Sequence, residues 1–452
     1  MKAIYGVRGS GYGRPATRVA RWPLMLGVLV TLVAALAIVA AAGVWPPWAE
    51  EDSREAVYPD VTADVEQLAA YLGTHGVIVV DARPRDSYLM GHIPGAISLP
   101  AESITDPLAA PGVFSASGLT GREAIVCTGD STYAACAARL FWLLELAGAR
   151  SASLLEGGVR SWSELGNPLE GSEEHADPAE WEVEPETDRL ATAPDVEAVY
   201  GERGLEILDA RGWDAWEGVR EEMGEEALAP ASRAGHIPHA LAFDFHRLLL
   251  PGGRLMLAEE ARQILAEFGP RPATPVDIWG EFIVHDDGES GEGALGYFLL
   301  RRAGIEDVRY YPGGWSDWAG DEDLPTVRII HADELAARLA EDRRWFKADT
   351  PPASFAFFDV RHGVDYERGH IPGAVNLSSS VFADSLDAAV DRHWPDVDRA
   401  DFPIVIYCYG PTCIRSRDCS TAAARAGFIR VERLYGGVQE WLGTGGELAR
   451  RH

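Results

Sequence analysis

Three short motifs recur in the same order three times along this 452-residue chain. An apolar run ending in Asp-x-Arg appears as "VIVVDAR" (Asp81, Arg83), "LEILDAR" (Asp209, Arg211) and "FAFFDVR" (Asp359, Arg361). Downstream of each lies "GHIPGA" at Gly91–Ala96, "GHIPHA" at Gly235–Ala240 or "GHIPGA" at Gly369–Ala374. Each set closes on Gly-Gly-x-x-x-Trp, as "EGGVRSW", "PGGWSDW" and "YGGVQEW". The period is well over a hundred residues, so the repeats are whole domains rather than solenoid units. A length prior of about three ordinary domains agrees.

Within each unit, apolar runs alternate with amphipathic ones. "VIVVD", "AIVC" and "SASLLE" read as buried strands in the first unit, and "AACAARLFWLLELAG" as a helix. In the third, "FAFFDV", "PIVIYC" and "VERLYG" alternate with "RDCSTAAARAGF". Strand–helix alternation predicts an α/β class with a parallel sheet and helices on both faces. The Gly and Pro of the second motif fix a turn before a short strand. Asp-x-Arg is expected to form a local charge pair that orders the adjoining loops. His92, His236 and His370 occupy the same turn in every copy, which favours a hydrogen-bonded structural role over ligation.

As a set, Asp-x-Arg, Gly-His-Ile-Pro-Gly-Ala, a Tyr-Cys loop and Gly-Gly-x-x-x-Trp resembles the rhodanese, or sulfurtransferase, domain family. The resemblance implies three doubly wound domains: residues 58–170, residues 191–322 and residues 327–450. Between the first two, residues 171–190 are acidic and contain proline, and read as a hinge or solvated spacer. The join at "DEDLPT" is shorter, so the second and third units are expected to pack closely, while the first two are expected to pair as a tandem.

The N-terminus departs from the rest. Residues 1–21 carry Lys2, Arg8, Arg14, Arg18 and Arg21 and no acid, whereas Pro23–Trp45 is free of charge. An apolar run of about 20 residues matches the thickness of a bilayer. With Glu50, Glu51 and Asp52 beyond it, the charge asymmetry predicts a single-pass anchor over residues 22–46 in a bacterial-type cell membrane. The basic tail would be cytoplasmic and the domains would face the periplasm or exterior. A cleaved signal peptide is the competing reading. The net charge of −30 argues against nucleic-acid binding.

Three of the five cysteines fall in or beside "YCYGPTCIRS" in the third unit. In the resembling family the nucleophile is a cysteine just after the strand that precedes the catalytic helix. Loop amides and the helix N-terminus there favour an anion and a thiolate. That implies Cys408 as catalytic nucleophile and Tyr409, Gly410, Thr412, Arg415 and Ser416 as the anion-binding loop, with no cofactor and no metal. The partners implied are a small sulfur-containing donor and a thiol or cyanide-like acceptor.

Cys413 is a candidate resolving thiol for a persulfide or sulfenate on Cys408. A structural disulfide remains open. So does phosphatase- or arsenate-type chemistry, because the seven positions from Cys408 to Arg415 match neither the short sulfur-transferring loop nor the phosphatase loop. A zinc site lacks a second ligand pair at a usual spacing. The second unit offers His285, Asp286 and Asp287 in place of a cysteine and reads as inactive. In the first, Cys127 aligns by its strand with Tyr407, leaving Thr128 or Gly129 at the nucleophile position, and Cys136 falls on the helix. With two copies apparently inert, a non-catalytic sensor or binding module is the alternative to an enzyme.

Overall fold

The central strands of the first unit, Val77–Asp81 and Ala124–Thr128, are buried along nearly their whole length, so the sheet they nucleate needs cover on both faces. β1 (Thr62–Ala63), β2 (Val77–Asp81), β3 (Ile97–Ser98), β4 (Ala124–Thr128) and β5 (Ser151–Leu155) pair in the order β1-β5-β4-β2-β3, all parallel. This computed structural model describes residues 61–450 apart from 74–75, 131–134, 173–175, 203, 219–232, 251–254, 269–280, 343–349 and 412. The basic tail, the apolar segment 22–46 and Thr412 therefore lie outside the described residues. Among the described residues, no helix is long and apolar enough to cross a membrane.

The second unit contains β6 (Leu205–Asp209), β7 (Leu241–Ala242), β8 (Glu281–His285) and β9 (Val308–Tyr311), ordered β7-β6-β8-β9. Beside β9, Leu190 makes a single parallel bridge to Tyr310, so the edge strand of the first sheet is here reduced to one residue. The third unit restores five strands: β10 (Thr326–Ile330), β11 (Ala356–Asp359), β12 (Val375–Asn376), β13 (Ile404–Tyr407) and β14 (Arg430–Leu434). Their order, β10-β14-β13-β11-β12, is that of the first. The expected doubly wound α/β class is found in all three copies.

The repeated motifs form one mechanical circuit. At the end of β2, Arg83 donates to both oxygens of Asp81 at 2.9 and 2.7 Å and to the Gly91 carbonyl at 2.8 Å. Arg211 does the same with Asp209 and Gly235, and Arg361 with Asp359 and Gly369. The following histidine is buried, stacks on Tyr88, Trp216 or Tyr366, and places Nδ1 on that residue's carbonyl. Its backbone pairs with a distant segment: His92 with Glu170, His370 with Ala449. The motif tryptophan fixes that segment from the other side, Trp162 Nε1 donating to the Pro168 carbonyl and Trp441 Nε1 to that of Glu447.

In the second copy the segment that pairs with His236 is Val327, and Val327 belongs to β10 of the third sheet. One stretch of chain thus ends the second domain and begins the third, so the expected close packing has a backbone cause. The first two copies pair through the helices Ala135–Leu146 and Glu292–Arg302. Phe141 meets Phe298 edge-on at 5.3 Å, and Glu145 accepts from Tyr297 and Arg301 at 2.6 and 3.1 Å. Burying such aromatic side chains contributes about 1.5–3 kcal/mol each.

Within residues 171–190, expected as a hinge or solvated spacer, residues 176–186 are mostly exposed yet tied to the first domain. The Ala179 and Glu182 amides donate to Ser115 and Thr120, Trp181 Nε1 donates to Ala147, and the Glu186 amide donates to Leu146. The Trp181 ring lies 5.1 Å from Phe114. Gly148 sits at φ 79°, and a Cβ there would stand 1.8 Å from the Glu184 carbonyl oxygen. The segment is a strap along the first domain. Its acidic composition concealed one aromatic anchor.

Two predictions follow from these contacts. Arg211→Ala removes the cation that neutralises buried Asp209, leaving it only the His285 ring, whose Nε2 is 3.7 Å away, and should lower the denaturant stability of the unit by about 3–5 kcal/mol. An unchanged midpoint would refute the pairing. Burial, together with the charge of Arg433, lowers the His236 pKa to about 3, and burial with Arg417 and Arg425 lowers that of His239 to about 4. The unfolded chain takes up these protons near about 6.5. Their contribution is therefore intact above that pH and is lost as pH falls toward 4 and then 3. The unfolding midpoint should drop across that window. His239→Asn, which tolerates the φ of 73°, should flatten the upper part of the profile.

Candidate active site

The loop after the fourth-position strand of each copy is held by the same two backbone bonds, and these fix its alignment. In the third copy the amides of Val438 and Gln439 donate to the carbonyls of Cys408 and Tyr409 at 3.1 and 3.2 Å. In the second, Trp315 and Ser316 donate to Asp286 and Asp287; in the first, Val159 and Arg160 donate to Gly129 and Asp130. The close approach needs glycine: Gly437 has φ 55°, and a Cβ there would lie 2.4 Å from the Cys408 carbonyl oxygen. Gly314 has the same φ against the Asp286 carbonyl. The Gly-Gly-x-x-x-Trp motif thus clamps the loop as well as anchoring the tail.

Cys408, Asp286 and Gly129 are consequently equivalent. The sheet register agrees, since Asp359 pairs with Tyr407, Asp209 with His285 and Asp81 with Thr128. The sequence alignment of Cys127 with Tyr407 is off by one residue: Cys127 matches Ile406 and points into the core. Gly129, which carries no side chain, takes the nucleophile position. Burial pushes the thiols of Cys127 and Cys419 far up and that of Cys136 up to about 11.

In the second copy a carboxylate stands where the nucleophile would be. Asp286 Oδ1 accepts the Gly288 amide at 2.8 Å, and Oδ2 accepts the Gly293 amide, at the start of the helix Glu292–Arg302, at 2.9 Å. The Tyr310 hydroxyl lies 3.3 Å away. Burial raises this carboxyl's pKa against the two amides that oppose it. The cradle that could hold an external anion is filled by the chain's own. His285 is fully buried, with Nδ1 at 3.0 Å from the Asp286 carbonyl oxygen. Among the described residues no group of three His, Cys, Asp or Glu side chains converges as a metal site.

In the third copy, β13 delivers Cys408 to the loop and the helix Arg415–Arg425 starts beyond it. Cys408 is 1% exposed, and its sulfur is joined to that of Cys413 in a disulfide with Cα atoms 6.6 Å apart. The Cys413 amide donates to Gly410 at 3.0 Å, closing a turn that folds Cys413 back over Cys408. Arg415 lies 5.6 Å from the Tyr409 ring centre and Arg361 5.7 Å from it. Two guanidinium groups therefore lie against the Tyr409 ring.

Of the residues singled out from sequence, Cys408, Tyr409, Gly410, Cys413 and Arg415 come together. Ser416 is buried in the first turn of the helix. The Tyr409 side chain faces away from an anion role, donating its hydroxyl to Asp365 at 2.5 Å and holding that carboxyl below its usual range. Sequence reasoning assigned Arg361 to structure alone, yet the fold brings it to the loop. It also passed over Tyr407, whose buried hydroxyl donates to Asp359 at 2.7 Å and accepts the Ile371 amide at 3.0 Å. The signal for both was the Asp-x-Arg motif lying beside the Tyr-Cys strand end.

Comparison with known proteins decides the family. The rhodanese-like domain model matches three times, over residues 64–165, 192–321 and 332–444. The chain belongs to the rhodanese-like domain family. A "Probable 3-mercaptopyruvate sulfurtransferase" of Pseudomonas aeruginosa is 29% identical over 286 residues, covering 58% of this chain and 96% of that protein. A "Thiosulfate sulfurtransferase" of Corynebacterium glutamicum is 26% identical over 288 residues, covering 60% and 92%. Among solved structures, an anaerobic ergothioneine biosynthesis enzyme from Chlorobium limicola, in complex with trimethyl histidine, superposes with a TM-score of 0.50. That match is 18% identical and covers 59% of this chain and 69% of that one, a likeness of fold.

The three rhodanese copies should differ sharply in thiol reactivity. After reduction of the native full-length chain, a limiting alkylating agent should label the half-buried Cys413 before Cys127 and Cys419, as read by peptide mass mapping. Equal labelling of Cys127 would contradict its burial.

Proposed function

We propose that the third rhodanese copy is a sulfurtransferase in which Cys408 carries sulfane sulfur as a persulfide. The observation that carries this reading is that, of three equivalent loop positions, a thiol stands at one, next to a Tyr409 ring that Arg361 and Arg415 both approach, while Gly129 and Asp286 stand at the others. The sulfurtransferase relatives support the same chemistry.

With thiosulfate as donor, the Cys408 thiolate attacks the outer sulfur. The new S–S bond forms to Cys408, the bond to the sulfonate sulfur breaks, and sulfite leaves with the electron pair. A persulfide donor follows the same course with a thiolate leaving group. Arg415 and Arg361 bind the anionic donor and stabilise the leaving charge. Loop amides and the helix N-terminus favour the thiolate. The persulfide then passes its outer sulfur to a thiol or cyanide-like acceptor. The disulfide to Cys413 must be reduced before the cycle starts.

Placement belongs to the same proposal: residues 22–46 hold the protein in the cell membrane with its domains outside. Protease treatment of intact spheroplasts should then degrade the rhodanese copies, and a protected C-terminal region would reverse the orientation.

The catalytic reading is tested by thiosulfate–cyanide sulfur transfer with the reduced full-length chain. Arg415→Ala should raise KM for the donor and reduce kcat/KM by about 10–100-fold, the loss of one charge-assisted contact. A wild-type chain that transfers no sulfur from any sulfane donor yet hydrolyses an aryl phosphate would replace this reading with a phosphatase.

A further inference from the structure

Cys413 stands where the first thiol met by a Cys408 persulfide is the protein's own. We infer that Cys413 resolves that persulfide within the loop, so that copy three releases inorganic sulfide and needs a dithiol reductant to turn over; this rests on the sulfurtransferase reading above.

Four observations converge on the resolving role. The Cα atoms of Cys408 and Cys413 are 6.6 Å apart, within the span that a disulfide bridges without backbone movement. The turn from Gly410 to Cys413 is closed by a backbone hydrogen bond, and the Cys413 carbonyl oxygen lies 3.8 Å from Cys408 Sγ. Cys408 is almost fully buried, whereas its partner Cys413 is half-buried and so the more exposed thiol of the pair. In the second copy, five positions beyond Asp286, the corresponding residue is Gly291, so the second thiol accompanies the nucleophile rather than the loop scaffold.

A purely structural bridge fits less well. The loop is already clamped by the Val438 and Gln439 amides and by the Gly410 turn. A disulfide closing so short a loop removes little further freedom from the unfolded chain. It would also consume the thiol that stands at the nucleophile position. The remaining thiol nearby, Cys419, is buried in the core between helix and sheet and takes no part.

The step balances. The Cys413 thiolate attacks Cys408 Sγ, the inner sulfur of the persulfide. The bond between Sγ and the outer sulfur breaks, and hydrosulfide departs with its electron pair, leaving the Cys408–Cys413 disulfide. A dithiol then reduces that disulfide, supplying two electrons and two protons and becoming a cyclic disulfide itself. Summed over a cycle, thiosulfate and a dithiol give sulfite, hydrosulfide, the oxidised dithiol and one proton. The class of partner implied is a low-potential protein dithiol or a small dithiol able to reach the loop. The disulfide form of the loop is then an intermediate of the cycle.

The test is a single turnover of the full-length chain, reduced with dithiothreitol, freed of it, and mixed with thiosulfate. The readouts are free sulfide and the mass of the Cys408–Cys413 peptide. Wild type should release sulfide and end with the peptide lighter by two hydrogens. Cys413→Ser and Cys413→Ala should hold the extra sulfur on Cys408, lose sulfide release, and yield thiocyanate when cyanide is added. Uptake of sulfur by these variants shows that they are folded and that the sulfurtransferase reading stands. Sulfide release by both variants at the wild-type rate, or a wild-type chain that keeps its persulfide, would overturn the resolving role alone. A wild-type chain and variants that take up no sulfur at all would overturn both readings.

Discussion

The buried Asp–Arg pair at the end of each central strand is the contact on which the rest of each copy depends. A carboxylate with no exposure cannot stay ionised in an apolar core without a partner, and the neighbouring guanidinium is held by it in a fixed fork. The free donors of that fork reach the glycine carbonyl of the next motif, which positions the histidine turn. The histidine backbone then selects the chain segment that the motif tryptophan anchors. Because one strand end organises all of this, the loop after the adjacent strand inherits a fixed floor. In the third copy the same arginine also lies against the Tyr409 ring of the loop.

The three copies keep this floor and change what stands on it. Gly129 offers no functional group. Asp286 offers a carboxylate that the amides of Gly288 and Gly293 already satisfy. Cys408 offers a nucleophile. In the second copy the internal carboxylate accepts an amide at the start of the following helix. This copy also packs by helix against the first copy, and the strand that bridges its His236 belongs to the third sheet.

Much of this was legible in the sequence because the repeated residues make contacts that few others can. Asp-x-Arg, the His-Ile-Pro turn and the paired glycines each serve a buried backbone or charge requirement, so their spacing announced the domains, the sheet class and the loop. What escaped was set by tertiary context. The strap role of residues 176–186 rests on Trp181, a single aromatic in an acidic stretch. Cys127 was misplaced by one residue because an apolar strand end carries no marker of where pairing stops, whereas the clamp from Val159 to Gly129 does. Arg361 was read as structural because its motif already explained it. The pairing of Cys413 with Cys408 was among the alternatives that the sequence left open, and the Gly410 turn brings the two together.

The central claim is that Cys408 is the residue that breaks a sulfane sulfur bond. The rapid release of sulfite on mixing the reduced full-length chain with excess thiosulfate measures that event directly, whatever later becomes of the transferred sulfur. The account predicts a burst of sulfite stoichiometric with wild-type chain and none from Cys408→Ser. A burst that survives in Cys408→Ser, or one that vanishes with Cys127→Ser instead, would contradict it.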